Sequence, residues 1–223
     1  MDEVRGLVLF GDVVGSRRDP AAAAEWLRHL VDELDQAYGE QRLAPFGFTQ
    51  GDELQGLLTA DADPLVAVLY AGLSPAARPI RWACVKGGVD TGEGPATQRT
   101  GRAFLAARDA IEAARAGHDR LVIRTGQAEA DELLAGMTPA LADLLQGLTP
   151  RQRAVARLAL IGGLRQSEVA DRLGVRRATI SVSFGRARVQ TLQRLVAAIR
   201  KVYSSASSQA GGRAETGADG RTS

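Results

Sequence analysis

Three carboxylates at the ends of apolar runs have the residue type and spacing of a metal site. Asp12 stands near the end of the apolar run Gly6 to Val14, and Asp52 and Glu53 lie in a Gln50-Gly51-Asp52-Glu53 turn. If the flanking runs form paired strands, these carboxylates converge. Converging oxygens need a hard cation, and Mg²⁺ with nucleotide phosphates is the usual solution. The alternative is a solvated hairpin turn and an unrelated strand-end aspartate.

The loop after the first apolar run offers groups that suit phosphate. Gly15 and Ser16 can present backbone N–H groups, and Arg17 and Arg18 carry guanidinium groups that bind phosphate oxygens in pairs. We therefore assign Gly15, Ser16 and Arg17 to a candidate nucleotide site beside the carboxylates.

A second pattern, between Leu148 and Leu195, predicts a helix-turn-helix. Gln166 to Leu173 has amphipathic helical spacing, Gly174 permits the positive φ of a tight interhelical turn, and a second helix is expected to start near Arg177. The inner face and the corner are expected to hold Val169, Ala170, Leu173, Val175 and Ile180. A small residue, a turn glycine and a β-branched corner residue at these spacings form a specific joint signal.

Charge is divided unevenly along the chain. Thr149 to Tyr203 contains twelve Arg and Lys against two acidic residues, a net charge of +10, whereas Met1 to Leu148 contains 14 basic and 22 acidic residues, a net charge of −8. Phosphate contacts explain such a basic module. The alternative is a helical bundle whose arginines only keep it in solution.

Composition excludes several classes of protein. No apolar run is long enough for a membrane span or a signal peptide, so no membrane partner is expected. The single cysteine, Cys84, excludes an intramolecular disulfide and a CxxC zinc site, and we expect it to be a buried, inert thiol. These features favour a cytoplasmic location. Residues 204–223 are rich in Ser, Gly and Ala and are predicted to be a disordered tail.

Hydrophobic periodicity predicts the order βαββαβαβα over residues 1–147, followed by a small all-α helix-turn-helix domain over residues 148–203. This order indicates an α+β fold with a palm-like or ferredoxin-like, mainly antiparallel sheet and helices on one face. The expected strands are Gly6–Val14, two within residues 44–60, Arg81–Val89 and Leu121–Arg124, and the expected helices are Ala21–Tyr38, Asp63–Leu73, Thr100–Ala116 and Ala128–Leu145.

The basic segment resembles region four of sigma factors and the DNA-binding domains of LuxR-type regulators. LTPRQRAVARLAL is similar to their first helix, SEVADRLGV to the second, and TISVSFGRARVQTLQRL to the recognition helix with its extension. The resemblance implies binding to double-stranded DNA, with RNA polymerase as a further candidate partner. On that alignment Arg177, Thr179 and Ser181 are expected near base edges, and Arg176, Arg186 and Arg188 near phosphates. An Arg-Arg pair replaces the usual Ser-Arg, so the common hydroxyl N-cap is absent.

The first domain resembles the SatD family through GDVVGSRR, FTQGDELQGLL, GGVDTG and GRAFLAARDAIEAA, in that order. These blocks are also distantly similar to class III nucleotide cyclases and GGDEF domains. That resemblance implies that Asp12 and Asp52 hold Mg²⁺, with Glu53 as the neighbouring acid, and that the ligand is a nucleotide.

Three departures argue against catalysis. Phe48 stands where cyclases have a purine-selecting Lys, Leu105 stands in the place of their Asn, and Asp109 in that of their Arg, with Arg108 one residue away. Arg108 therefore joins the candidate nucleotide site, and no catalytic residue is assigned.

The favoured interpretation is a DNA-binding transcription regulator whose first domain senses a nucleotide together with Mg²⁺. The alternative is an active nucleotidyl-transfer or nucleotide-hydrolysing enzyme that its helix-turn-helix places on DNA. A third interpretation makes the first domain a dimerisation body and the second an RNA polymerase contact. We expect a homodimer, because pairing two small DNA modules on half-sites raises their affinity.

Overall fold

The computed structural model describes the backbone of residues 3–49, 52–90 and 92–215, and side chains from residue 4 to residue 206 within those ranges. The described elements follow the predicted order βαββαβαβα, and further helices complete the chain. Gln50 and Gly51 of the predicted acidic turn, and residues 216–223 of the predicted tail, lie outside the described residues.

Element bounds in the first domain agree with the predicted bounds to within a few residues. The strands and helices are β1 (Glu3–Val13), α1 (Pro20–Tyr38), β2 (Arg42–Phe48), β3 (Glu53–Thr59), α2 (Pro64–Gly72), β4 (Ile80–Asp90), α3 (Arg102–Gly117), β5 (Leu121–Arg124) and α4 (Ala128–Gln146). The basic segment contains α5 (Pro150–Leu160), α6 (Gln166–Leu173), α7 (Arg177–Arg186) and α8 (Val189–Glu215).

Polar caps and proline fix where several helices begin. Asp19 accepts a hydrogen bond from the backbone N–H of Ala22 at the start of α1, and Asp63 accepts one from Leu65 at the start of α2. Each of these helices has proline in its first turn, where no backbone N–H is needed. At α5, Thr149 and Gln152 cap each other's backbone N–H groups reciprocally.

The five strands form one mixed sheet in the order β2-β3-β1-β4-β5. β1 lies at its centre and pairs antiparallel with β3 and β4, whereas β4 and β5 are parallel. Asp12 near the end of β1 therefore faces Glu53 on one side and Arg81 on the other. The predicted α+β class, with a helical region after the sheet domain, is confirmed.

Helices cover both faces of this sheet, so the expectation of helices on one face was wrong. Leu7 and Leu9 of β1 are buried in the cluster that contains α1, α2 and α4. Phe10 points the other way, into a cluster with α3, where its ring meets Phe104 at a centroid distance of 6.0 Å. The central strand is apolar on both faces because helices cover both of them.

The recognition helix is shorter than predicted. α7 ends at Arg186, Arg188 adopts a left-handed conformation with φ 49°, and α8 begins at Val189. The predicted carboxy-terminal extension of the recognition helix, up to Leu195, is therefore part of a separate helix.

α8 returns to the first domain and lies against α4, and its Tyr203 ring covers the Lys86 ammonium at 3.7 Å. Helix continues to Glu215, whereas a disordered tail was predicted from Ser204. Ala206, within the segment predicted to be disordered, is buried in the helix. The composition of the segment does not indicate this apolar contact. None of the described helices is long and apolar enough to cross a membrane.

Gly56 in β3 provides a test of how tightly β2 and β3 are joined to the core. A Cβ atom at this position would overlap Cε1 of Phe46, whose ring is buried and stacks on Tyr38. We expect Gly56→Ala to lower the free energy of unfolding by about 1–3 kcal/mol in urea titrations, because the ring must move from a filled site. The control is Gly136→Ala in α4, where a Cβ meets nothing within 4 Å, and which should raise stability by up to about 1 kcal/mol. Similar changes for both variants would contradict this account.

Candidate nucleic-acid interface and carboxylate site

The helix-turn-helix has the predicted internal geometry. Gly174 ends α6 with φ 63°, and the N–H of Val175 donates to the carbonyl of Ala170 at 3.0 Å. Val169 and Ala170 are buried where α6 meets α7, and Ile180 is buried on the inner side of α7. A larger residue than alanine at position 170 would separate the two helices.

Leu173 does not belong to the inner face of α6, contrary to prediction. It remains 40% exposed, whereas Val169 and Ala170 are almost fully buried. The chain turns at Gly174 directly after Leu173, so this position lies beyond the contact that buries the preceding residues.

The amino-terminal end of α7 has the properties of a phosphate-binding helix start. Arg176 occupies the N-cap position with φ −66° and ψ 144°, and its side chain makes no capping hydrogen bond. This agrees with the expected absence of a hydroxyl cap. The first backbone N–H groups of the helix thus have no side-chain cap, and the helix dipole favours an anion there.

The candidate DNA-contact residues are all exposed. They are Arg176, Arg177, Thr179, Ser181, Arg186 and Arg188. Ser183, between them, donates its hydroxyl to the carbonyl of Thr179 at 2.9 Å and so is used within the helix. The exposed polar and cationic side chains of α7 are therefore accessible to a duplex, while Ile180 anchors the opposite side of the helix.

Some of the basic charge in this segment is used inside the protein. Arg157 of α5 lies 2.6 Å from the Glu33 carboxylate, and Arg200 of α8 lies 2.7 Å from Asp63. Both acids belong to the first domain. The net charge of +10 thus overstates the charge available to DNA. The exposed basic residues lie on α6 and α7 and also include Arg151, Arg188 and Arg194.

Strand pairing brings the predicted carboxylates together at one end of the sheet. Asp12 is the register partner of Glu53, and the N–H of Val13 donates to the carbonyl of Asp52 at 3.0 Å. Ser16 joins the same cluster because its hydroxyl donates to Oδ2 of Asp52 at 2.8 Å.

Arginine, however, occupies the position that a cation would take beside Asp12. Oδ2 of Asp12 lies 3.0 Å from Nη1 of Arg81, and Oδ1 of Asp12 lies 3.0 Å from Nη2 of Arg115. The Asp12 side chain is 8% exposed. Glu53 accepts from Gln55 at 2.6 Å. Within the described ranges no group of three or more His, Cys, Asp and Glu is arranged to hold a metal ion. In this arrangement the proton donors Arg81, Arg115 and Gln55 already satisfy the carboxylates.

The residues predicted to bind phosphate lie around this cluster, and they differ in how far they are exposed or already hydrogen-bonded. Gly15 adopts φ 75° ahead of a short 3₁₀ turn over Ser16–Arg18, and Ser16 is buried and committed to Asp52. Arg17 is exposed. Arg108 of α3 lies over the Phe10 ring at 5.8 Å and 3.9 Å from Glu53. The guanidinium groups of arginines are thus the main groups at this edge of the sheet that could bind a ligand.

The two positions that correspond to the cyclase Asn and Arg are exposed on α3. Leu105 is 68% exposed, and Asp109 is exposed on the same helix.

Sequence reasoning missed Arg81 and Arg115. Arg81 is the register partner of Asp12, and it could have been found only by pairing β4 with β1 in this register. Arg115 reaches Asp12 from α3 because that helix crosses the sheet on the face to which Asp12 points. No spacing in the sequence indicates that crossing.

The comparisons with known proteins concern mainly the basic segment. Residues 139–190 match the family model described as Sigma-70, region 4, which covers the end of α4 and all of α5, α6 and α7. No curated protein matches the chain. One solved structure that matches is a regulator of polyketide synthase expression from Bifidobacterium adolescentis, 16% identical over 92% of this chain and 81% of that chain, with a TM-score of 0.30. At that TM-score the likeness supports no argument about fold or function. The α6–α7 pair thus has the geometry of a helix-turn-helix and lies in a segment that matches the Sigma-70 region 4 model.

The doubly paired Asp12 carboxylate provides a stability test. Asp12→Asn should lower the free energy of unfolding by about 1–3 kcal/mol, because Arg81 and Arg115 keep their charge and lose its partner. Asp52→Asn is the matched control, since an amide oxygen still accepts from Ser16, and its loss should be smaller. Chemical denaturation of both variants at neutral pH measures the difference. Equal stability of Asp12→Asn and the unchanged protein would contradict the paired arrangement.

Proposed function

We propose that this protein is a DNA-binding transcription regulator that inserts α7 into the major groove of double-stranded DNA. The observation that carries the proposal is the exposed polar and cationic side of α7 on a helix-turn-helix whose segment matches Sigma-70 region 4. The start of α7 adds backbone donors without a side-chain cap. Together these features supply both phosphate contacts and groups that read base edges.

The contacts divide by position on the module. Arg177, Thr179 and Ser181, near the start of α7, are proposed to contact base edges, because recognition helices enter the groove with their amino-terminal residues. Arg176, Arg186 and Arg188 are proposed to contact phosphates. RNA polymerase is a further proposed partner, since region 4 modules belong to sigma factors. A homodimer on paired half-sites is proposed on grounds of affinity.

The first domain is proposed to sense a nucleotide. This proposal rests on the resemblance to the SatD family and the cyclases and on the arginines beside Asp12. Nucleotide phosphates and Asp12 compete for the same guanidinium groups, so binding would exchange an internal ion pair for an external one. Mg²⁺ binding at this edge requires that Arg81 and Arg115 release Asp12. The nucleotide proposal does not depend on the metal.

DNA binding is tested on the full chain with a duplex selected from a random pool. Arg177→Ala should weaken binding to the selected duplex by about 1–3 kcal/mol and weaken binding to unrelated duplex less. Arg186→Ala should weaken both alike and reduce the dependence of affinity on salt. The control is Arg124→Ala, an exposed arginine on β5 of the first domain. Fluorescence anisotropy at several salt concentrations measures all three. The interface is misplaced if only Arg124→Ala weakens binding.

Nucleotide binding is tested by thermal unfolding with ATP and GTP, each with and without Mg²⁺. A nucleotide present at about a hundred times its Kd should add about 2.7 kcal/mol of stability. Arg108→Gln should reduce that gain, and Arg124→Gln on β5 is the control. If Mg²⁺ takes part, Asp12→Asn should remove the difference between the two conditions. The sensing proposal is overturned if neither nucleotide raises the unfolding temperature at millimolar concentration.

A further inference from the structure

A cleft lies between the first domain and the helix-turn-helix, on the face of the sheet opposite to Asp12. Its wall is apolar, formed by Val68 of α2, Trp82 of β4, Leu121 of β5 and Leu145 of α4. It contains about 490 Å³ of empty space, part of which is solvent at its mouth.

Three arginines line the same cleft, and no Asp or Glu among the described residues lines it. They are Arg78, Arg120 and Arg153. Arg78 reaches Asp19 only at 3.5 Å, outside the lining. A cleft with apolar walls and only cationic charge is complementary to an anion that also has an apolar part.

Arg153 provides the observation that points to a missing partner. Its Nε atom is buried and has no hydrogen-bond partner among the described residues. Burial also lowers the pKa of Arg153, because the charged form loses solvation there. A buried N–H donor without an acceptor is unfavourable, and an anion in the cleft would remove that penalty.

We propose that this cleft binds a small organic anion whose carboxylate or phosphate head contacts Arg153 and Arg120 and whose apolar body contacts Trp82, Leu121 and Leu145. The site is separate from the candidate nucleotide site, since Trp82 and Asp12 lie on opposite faces of the sheet. Arg153 lies on α5, which precedes the α6–α7 helix-turn-helix, so a bound anion touches both the sheet domain and the helical region after it. An effect of the anion on DNA affinity would rest on the proposed function, whereas its binding does not.

Binding is tested on the full chain without DNA, by calorimetric titration with 1-naphthoate and with the neutral, equally shaped 1-naphthamide. We expect naphthoate to bind roughly 10-fold or more tightly than naphthamide, because a charge-assisted hydrogen bond to guanidinium is lost with the amide. Arg153→Met should remove this preference. Its unfolding temperature without ligand should equal or exceed that of the unchanged protein, because methionine retains the apolar stem and removes the buried N–H.

Two further variants keep the test decisive. Arg151 lies on the same helix but is exposed outside the cleft. The Arg151→Met variant should therefore retain the preference for naphthoate. Arg120→Met should reduce it, and it replaces Arg153→Met if that variant does not fold. The proposal is overturned if naphthoate does not bind at millimolar concentration, if naphthoate and naphthamide bind equally, or if the preference survives in both cleft variants. Because no DNA is present, these outcomes are independent of the proposed DNA binding.

Discussion

The contact of α8 with the sheet domain determines where the helix-turn-helix stands. At its centre the Lys86 ammonium, buried in β4, lies 3.7 Å from the centroid of the Tyr203 ring. Desolvation lowers the pKa of Lys86 from 10.5 to about 8, so the folded protein holds this proton less tightly than the unfolded chain does. Burial of the charge thus costs stability below pH 8, and the cost declines as the pH rises toward 10.5. The Tyr203 ring offsets part of this cost by its attraction for the cation.

Opposite charges of the two halves of the chain serve two purposes at once. One part of the basic charge meets the acidic domain directly, through Arg157 with Glu33 and Arg200 with Asp63. The other part is exposed, on α6 and α7 and also on α5 and α8 at residues such as Arg151 and Arg194. A charge count along the sequence cannot separate these parts, because both consist of arginines at similar spacing. Their separation requires knowledge of which helix face turns toward the sheet.

Local patterns in the sequence predicted most of the elements, whereas the missed features depend on distant contacts. The proline starts of α1 and α2, the Gly174 turn and the β2–β3 hairpin rest on interactions within a few residues, and the structure has each of them. The candidate site was predicted only in part. Pairing of the strands places Asp12 beside Glu53, but the arginine partners of Asp12 come from 69 residues away on β4 and from α3. The position of α3 on the second face of the sheet also depends on long-range packing. The same holds for the course of α8, and the spacing of residues in the sequence predicts neither.

Both ends of the helix-turn-helix are attached to the first domain, and this limits how a bound ligand could act on it. At one end only Gly147 to Thr149 separate α4 from α5, and at the other α8 lies along α4. A module held at both ends can move as a rigid body together with α4 and α8, or it can turn at a backbone position between its helices. The joint nearest to the recognition helix is Arg188, whose φ of 49° is strained for a residue with a side chain. A turn of α7 relative to α8 would therefore require a change in the backbone of this residue, because the buried Ile180 holds α7 inside the module.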